Sequence, residues 1–215
     1  MANDKHPILA REGWVHVAMI VGATVAVQYF AGWAWALPLW IITVLVVQFF
    51  RDPSRTVPQV PRAVVAPADG KVIALGEAYD PYLKRQSRRI SIFMNVFNVH
   101  SNRAPVAGKV MERWYTRGTF LNAALDKASE HNERNALWIR TDAGQDIVVV
   151  QVAGLVARRI LCYVGPGEQL QVGQRYGFIR FGSRVDVYLP LDSQFKAALG
   201  DKPTAGADVI AMLSR

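Results

Sequence analysis

One long apolar segment dominates the first quarter of the chain. No Asp, Glu, Lys or Arg occurs in the 37 residues from Trp14 to Phe50. A single helix through this segment would be about 55 Å long at ~1.5 Å per residue, nearly twice the ~30 Å hydrocarbon core of a bilayer. A short stretch with glycine and tryptophan, residues 31–35, divides the segment into residues 14–30 and 35–50. The pattern therefore predicts a hydrophobic helical hairpin.

Three placements of this hairpin agree with its composition: crossing a bilayer, shallow insertion into one leaflet, or burial as a helical pair in a soluble core. Crossing as a hairpin would put the flanking basic residues on one side, namely Lys5, Arg11, Arg51, Arg55 and Arg62. The positive-inside rule makes that side cytoplasmic. We therefore expect attachment to the cell membrane, with the rest of the chain on the cytoplasmic side. We do not expect a cleaved signal peptide, because the apolar segment is too long and continues past any plausible cleavage site.

After the hairpin, the pattern changes from long apolar segments to short ones. Prolines at 53, 58 and 61 disfavour helix and predict an extended linker, so we divide the chain into domains 1–58 and 59–215. The second domain has short β-rich runs at 71–75, 89–93, 109–115, 136–140, 146–152, 158–163, 176–180 and 185–189. A helix is expected only at 195–199, ending at Gly200. These features predict a mainly β domain, a sandwich or a barrel.

The β-rich part contains a short internal repeat. Residues 66–72, Ala-Pro-Ala-Asp-Gly-Lys-Val, recur 38 residues later at 104–110 as Ala-Pro-Val-Ala-Gly-Lys-Val. Two related halves of one β-fold would explain the repeat, and so would chance similarity between two proline turns. Asp69 of the first copy corresponds to Ala107 of the second, so the turn itself does not require the carboxylate.

Charge and cysteine content narrow the functional classes. The formal net charge is +8, and residues 183–215 contain four basic and four acidic groups, so the whole surplus precedes Ser183. A basic surplus beside an apolar hairpin suits an anionic membrane surface, and without a nucleic-acid-binding motif we expect no nucleic-acid partner. The single cysteine, Cys162, lies in an apolar run and excludes a disulfide framework. The scattered histidines predict no metal site.

Four segments together resemble the phosphatidylserine decarboxylase family in its short bacterial and archaeal form. They are Phe-Phe-Arg-Asp-Pro-Ser-Arg at 49–55, Ala-Pro-Ala-Asp-Gly-Lys at 66–71, Asn-Val-His-Ser-Asn-Arg-Ala-Pro at 98–105 and Phe-Gly-Ser at 181–183. A polar loop with Asn122, Lys127, Asn132, Glu133 and Arg134 is also similar, though less distinctive. By itself, the Gly182-Ser183 pair is typical of a tight turn between strands.

The resemblance implies a proenzyme that cuts itself between Gly182 and Ser183. The Ser183 hydroxyl attacks the Gly182 carbonyl, an ester forms, and elimination leaves a β chain of residues 1–182 and an α chain of residues 183–215. The former Ser183 becomes a covalent pyruvoyl group, which forms a Schiff base with the serine amine of phosphatidylserine and accepts electrons as carbon dioxide leaves. Phosphatidylethanolamine is the expected product. No separately bound cofactor is then required.

The resemblance also implies roles for other residues. His100 acts in proton transfer during cleavage, decarboxylation or both, and Asp69 orients or charges a histidine. A proton-transfer task done by a second histidine in longer relatives falls to His100, to His131 or to neither. Arg103, Asn122 and Lys127 are candidate substrate-binding residues, with Arg103 suited to a phosphate or carboxylate. From the residues alone, Asp69 is equally explained as a turn residue and His100 as a structural histidine.

Two alternative functions agree with the same residues. One is a sister pyruvoyl decarboxylase acting on another serine lipid, such as archaetidylserine, with the same catalytic groups. The other is a membrane-tethered β-module that binds a partner and catalyses nothing, whose signature would be an uncut chain. The sequence leaves open whether the α and β chains assemble further into a homo-oligomer.

Overall fold

The computed structural model describes residues 8–124, 131–154, 160–180 and 182–214. Two compact units divide the chain, the first ending at Ser54 and the second beginning at Arg55. The predicted boundary at residue 58 lies within the extended segment that opens the second unit, and the division into domains 1–58 and 59–215 stays a prediction.

The first unit contains the predicted helical hairpin. After a single 3-10 turn, helix α1 runs from Trp14 to Ala31 and helix α2 from Trp33 to Phe49, separated by Gly32 with a φ of 88°. Glycine adopts this left-handed conformation readily, so it ends one helix and allows the next to begin. The Thr24 and Thr43 hydroxyls lie 3.1 Å apart between the helices.

The outer surface of the hairpin is apolar. The helical segment Arg11–Ala31 is long and apolar enough to cross a membrane, whereas Trp33–Phe49 is apolar but shorter. Large side chains such as Tyr29, Phe30 and Trp35 are exposed on it. These features are consistent with a membrane anchor.

The second unit is built from antiparallel strands, which confirms the mainly β prediction. The strands are β1 Ala63–Val65, β2 Lys71–Asp80, β3 Arg85–Met94, β4 Ser101–Arg103, β5 Gly108–Thr116, β6 Arg134–Arg140, β7 Asp146–Val152, β8 Ile160–Cys162, β9 Gln169–Leu170, β10 Arg175–Ile179, β11 Ser183–Leu189, β12 Gln194–Phe195 and β13 Val209–Met212.

Three sheets arrange these strands. A seven-stranded sheet has the order β2-β3-β11-β7-β6-β5-β9, and two three-stranded sheets have the orders β1-β13-β12 and β4-β10-β8. Strand β11 is buried on both faces of the sheet, and its side chains point alternately to one face and the other. Val185, Val187 and Leu189 join the main core, whereas Tyr188 packs with Val148 and Val150 on the opposite face.

The internal repeat has a structural counterpart. The two copies exchange equivalent hydrogen bonds, from Val65 N–H to the Pro105 carbonyl and from Arg103 N–H to the Pro67 carbonyl, each 2.9 Å. Each copy also accepts backbone hydrogen bonds from a later segment at equivalent positions, namely Gly206 to Ala66, Gly200 to Val72, Gly173 to Ala104 and Gly167 to Val110. This pattern supports the interpretation of the repeat as two related halves.

The predicted helix at residues 195–199 is wrong. Phe195 belongs to strand β12 and pairs with Ala211 of β13. The amide groups of Lys196 and Ala197 both donate to the Ile210 carbonyl, at 2.9 and 3.1 Å. Because these donors are bonded across to β13, they are not available for the local bonds of a helix.

Candidate active site

Ser183 is the first residue of the central strand β11. It pairs with Met94 at the end of β3, and the next residue of β11 pairs with both β3 and β7. The Ser183 side chain is fully buried, and its hydroxyl donates to the Met94 sulfur at 3.5 Å. Neighbouring strands thus fix the backbone on the C-terminal side of the candidate bond.

Gly182, on the other side of that bond, has a φ of 58°. This left-handed conformation costs most residues free energy but is readily adopted by glycine. A Cβ at this position would meet no described atom within 4 Å. Backbone conformation, rather than lack of space, therefore accounts for glycine at position 182.

His100 lies immediately before strand β4 and is fully buried. Its carbonyl accepts a hydrogen bond of 3.2 Å from Ile179, and its ring centroid lies 6.3 Å from that of Phe178. Two residues further on, the Asn102 amide lies 3.8 Å from the Met94 sulfur, which also contacts Ser183. Met94 thus joins the β4 segment that follows His100 to the candidate serine.

Asp69 lies just before strand β2, at the same end of the sheet. Lys71 and Arg184 both pair with Phe93 of the intervening strand β3, which puts the start of β2 about 10 Å from the start of β11. The Asp69 carboxylate forms an ion pair of 2.9 Å with Arg55 and accepts a 2.8 Å hydrogen bond from the Ala205 amide. Its role toward His100 stays a prediction.

The structure places the candidate substrate-binding residues in different environments. Arg103 is 4% exposed and donates to the Gly173 carbonyl at 3.2 Å. Asn122 is exposed and its side-chain oxygen accepts a hydrogen bond from the Ala124 amide. Lys127 lies outside the described residues. His131, the alternative proton-transfer residue, is exposed, and its carbonyl accepts a hydrogen bond from Thr119.

A buried chain of amides near the site was missed by the sequence analysis. Gln151 donates to Asn102 at 2.8 Å and accepts from Asn135 at 3.0 Å, and Arg113 donates to Asn135 at 2.9 Å. The chain begins at the residue that contacts Met94. A polar residue within the apolar run of strand β7 is the signal that would have revealed Gln151, because a buried amide requires hydrogen-bond partners.

A buried ion pair directly follows the candidate serine. The Arg184 and Asp186 side chains are both 1% exposed, and their Nε and Oδ1 atoms lie 2.9 Å apart. Arg184 also donates to the Ala123 carbonyl at 3.1 Å. Near this pair, burial raises the pKa of Tyr188 to about 12 and also raises the pKa of Tyr82. Both phenols are therefore neutral at physiological pH.

Among the residues that the structure describes, no group of three or more His, Cys, Asp or Glu side chains is placed to hold a metal ion. The groups at this end of the sheet are instead a buried hydroxyl, a buried imidazole and a paired carboxylate. These groups suit nucleophilic attack and proton transfer.

Comparison with known proteins identifies the family. The family model of phosphatidylserine decarboxylase matches residues 42–211. The phosphatidylserine decarboxylase proenzyme of Nitrosomonas europaea is 60% identical over 206 residues, covering 96% of this chain and 95% of the relative. The proenzymes of Aromatoleum aromaticum and Burkholderia vietnamiensis are 57% and 53% identical, covering 98% and 99% of this chain and 98% and 100% of their own. The chain therefore belongs to the phosphatidylserine decarboxylase family, as its motifs predict, and is a decarboxylase proenzyme.

Proposed function

We propose that this proenzyme cuts its own Gly182-Ser183 bond and then converts phosphatidylserine to phosphatidylethanolamine and carbon dioxide. One observation carries the proposal: the buried Ser183 begins the central strand β11 directly after a glycine in the left-handed conformation. In a mobile surface turn, the backbone conformation around this bond would vary. Here Ser183 is buried and paired with Met94, and Gly182 directly precedes it with a φ of 58°.

Self-cleavage starts from the Ser183 hydroxyl. The oxygen attacks the Gly182 carbonyl carbon, the hydroxyl proton passes to a base, and the C–N bond breaks to leave an ester and a free amine. Removal of the Ser183 α-proton then expels the Gly182 carboxylate. Tautomerisation and hydrolysis of the remaining enamine consume one water and release ammonia. The products are a β chain ending at Gly182 and an α chain of residues 183–215 that begins with a pyruvoyl group.

His100 is the base that we assign to proton transfer. Its support is its burial and the contact of the following segment with Met94, which touches Ser183. Asp69 is assigned an electrostatic or orienting role, supported by its place at the same end of the sheet and by its 2.9 Å ion pair with Arg55. A histidine with a nearby carboxylate is a common arrangement for activating a hydroxyl.

The fold suits a covalent group at position 183. After cleavage, strand β11 keeps its partners β3 and β7, and strand β13 keeps its partner β1. The α chain, which supplies β11, β12 and β13, therefore stays bound to the β chain by sheet hydrogen bonds and core packing. The pyruvoyl ketone supplies the electron sink that decarboxylation of an amine-bearing substrate requires.

The substrate reaches this site from a membrane. The apolar helix Arg11–Ala31 and the basic surplus before Ser183 support attachment to an anionic membrane, with the catalytic domain assigned to the cytoplasmic side. We propose that Arg103, Asn122 and Lys127 bind the headgroup of the lipid substrate. In the uncut chain Arg103 is buried and donates to the Gly173 carbonyl, so binding a headgroup would require its guanidinium to become accessible.

A decarboxylation assay tests this function. The purified protein is mixed with vesicles containing phosphatidylserine labelled with ¹³C in the serine carboxylate. We expect equal amounts of labelled carbon dioxide and phosphatidylethanolamine, because each turnover releases one of each. The Ser183→Ala protein prepared in parallel is the blank and should release neither product.

Vesicles of archaetidylserine form the second arm of this assay. Turnover only in that arm would identify the sister lipid as the substrate and contradict our headgroup assignment. A fully cut protein that converted neither lipid would contradict the proposed decarboxylation.

A further inference from the structure

The carbonyl oxygen that self-cleavage would attack lies against another glycine. Gly154 lies two residues after the end of strand β7. A Cβ at Gly154 would overlap the Gly182 carbonyl oxygen and would lie 2.7 Å from the Gly182 carbonyl carbon. Even alanine at position 154 would therefore displace the candidate scissile carbonyl.

The two glycines are required for different reasons. Gly182 has a φ of 58° and open space where a Cβ would project, among the described residues. The φ of Gly154 is outside the positive range that favours glycine. Instead, the Gly182 carbonyl oxygen occupies the position that a Cβ of residue 154 would take. Backbone conformation explains the first glycine, whereas only the close approach of the Gly182 carbonyl explains the second.

Hydrogen bonds fix the segment that carries Gly154. The fully buried Asn132 donates to the Leu121 and Ala153 carbonyls, both at 2.7 Å, and accepts a 2.9 Å bond from the Leu121 amide. The Ala153 amide donates to the Glu133 carbonyl at 2.9 Å. The residue immediately before Gly154 is thus held through both its amide and its carbonyl.

The other side of the same space is also fixed. The Ala123 methyl group lies 3.3 Å from the position that a Cβ of Gly154 would take. The Ala123 carbonyl accepts a 3.1 Å hydrogen bond from the buried Arg184. Arg184 directly follows Ser183. Strand β11 therefore supplies both the attacking serine and the arginine that holds Ala123 beside the Gly182 carbonyl.

We propose that Gly154 is a positioning residue for self-cleavage. Because it has no side chain, it leaves the space in which the Gly182 carbonyl is held for attack by Ser183. The proposal rests on the proposed self-cleavage. Reacting atoms must approach to about 3–3.5 Å with aligned orbitals, and a displacement of about 1 Å can cost roughly 100-fold in rate. Asn132 supports the site by holding the segment that carries Gly154.

The test compares alanine variants at three glycines. Cell-free synthesis produces each precursor, and denaturing electrophoresis follows its conversion to fragments. We expect Gly154→Ala to cut at least ~100-fold more slowly than the unchanged chain, the cost of a carbonyl displaced by about 1 Å. Gly165→Ala should cut at the normal rate, because the nearest described atom to its new Cβ is Glu168 Oε1 at 3.8 Å.

Gly108→Ala controls for packing damage. Its Cβ would overlap the Arg140 carbonyl oxygen in the strand pair β5-β6. Each variant is also made with Ser183→Ala, and its thermal unfolding is measured on the uncut chain. The proposal predicts much slower cleavage for Gly154→Ala than for a Gly108→Ala protein of similar unfolding temperature. Cleavage that simply follows unfolding temperature in both variants would overturn it.

Hydroxylamine identifies the step that fails. It cuts an ester at Gly182 but leaves an amide intact, so an uncut chain with a correctly formed ester would release fragments. We expect no fragments from Gly154→Ala, because a displaced carbonyl prevents ester formation. Efficient release would show that the acyl shift occurs without this site and would overturn the proposal.

Asn132→Asp provides an independent variant of nearly the same size. It loses the two donated hydrogen bonds that hold Leu121 and Ala153, and we expect slower ester formation in a folded protein. Normal cleavage in both Gly154→Ala and Asn132→Asp would reject the inference and leave the proposed function intact. An unchanged precursor that never cut would instead reject the proposed function itself.

Discussion

The Ser183→Ala variant is expected to remain one uncut chain without decarboxylase activity. In the proposed mechanism the Ser183 hydroxyl attacks the Gly182 carbonyl and Ser183 becomes the pyruvoyl group, so alanine removes both the nucleophile and the precursor of that group. The fold should survive, because the buried Ser183 hydroxyl gives up a weak hydrogen bond to the Met94 sulfur and alanine leaves no large cavity. Electrophoresis under denaturing conditions and the vesicle assay measure the two losses.

Ser91→Ala is the matched control for this variant. Ser91 is another fully buried serine, and it pairs with Asp186 of the same strand β11. Within the described part of the chain its hydroxyl has no hydrogen-bond partner, so its removal should cost little stability. This variant should cut and turn over normally. A Ser183→Ala protein that still split between residues 182 and 183 would contradict attack by the hydroxyl.

Replacing Asp186 by asparagine is expected to destabilise the fold by about 3–5 kcal/mol, the usual cost of breaking a buried ion pair. The change keeps the side-chain size but removes the charge that compensates Arg184, and both side chains are 1% exposed. Urea denaturation followed by tryptophan fluorescence measures the free energy of unfolding. The measurement uses the Ser183→Ala background, in which the protein stays one chain and its unfolding is not complicated by dissociation.

Asp146→Asn is the control for the buried pair. Asp146 pairs with Arg140 in the same sheet, but these side chains are 22% and 43% exposed. Water screens exposed ion pairs and leaves them with little net effect, so this variant should lose much less stability than Asp186→Asn. Equal and small losses in both variants would show that the Arg184–Asp186 pair contributes little to stability.

Local features of the sequence were enough to predict the hairpin and the class of the second domain. The uncharged segment from Trp14 to Phe50 required two helices, and the structure separates them at Gly32. Most strands of the large sheet coincide with predicted β-rich runs, since short runs rich in β-branched residues between turn residues are a local pattern. The repeated Pro and Gly turns left two explanations open, related halves or chance similarity, and the equivalent hydrogen bonds in the structure support the first.

Features that depend on contacts between distant residues could not be predicted in this way. The segment 195–199 has local helical character, but pairing of Phe195 with Ala211 makes it part of a sheet. Strands β9 and β12 have two residues each, which is too short to show an alternation of apolar and polar residues. The ion pair of Asp69 with Arg55 also depends on the tertiary fold.

The same limit applies to the candidate site. The resemblance to the family supplied Gly182, Ser183, His100 and Asp69 as candidates, and their roles stay predictions. Gly154 was missed, since nothing in the neighbouring sequence marks its close contact with a distant residue. Its importance is visible only when the Gly182 carbonyl is found where its side chain would be. Arg184 was given no role from the sequence, although it is 1% exposed and donates to the Ala123 carbonyl.

Intact-mass spectrometry of the purified, denatured protein tests self-cleavage most directly. The account predicts two chains: one ending at Gly182, and one of residues 183–215 that is lighter by one ammonia than the same peptide beginning with serine. That difference identifies a pyruvoyl group in place of Ser183. A single mass for the intact chain, in a preparation that decarboxylates phosphatidylserine, would contradict the account.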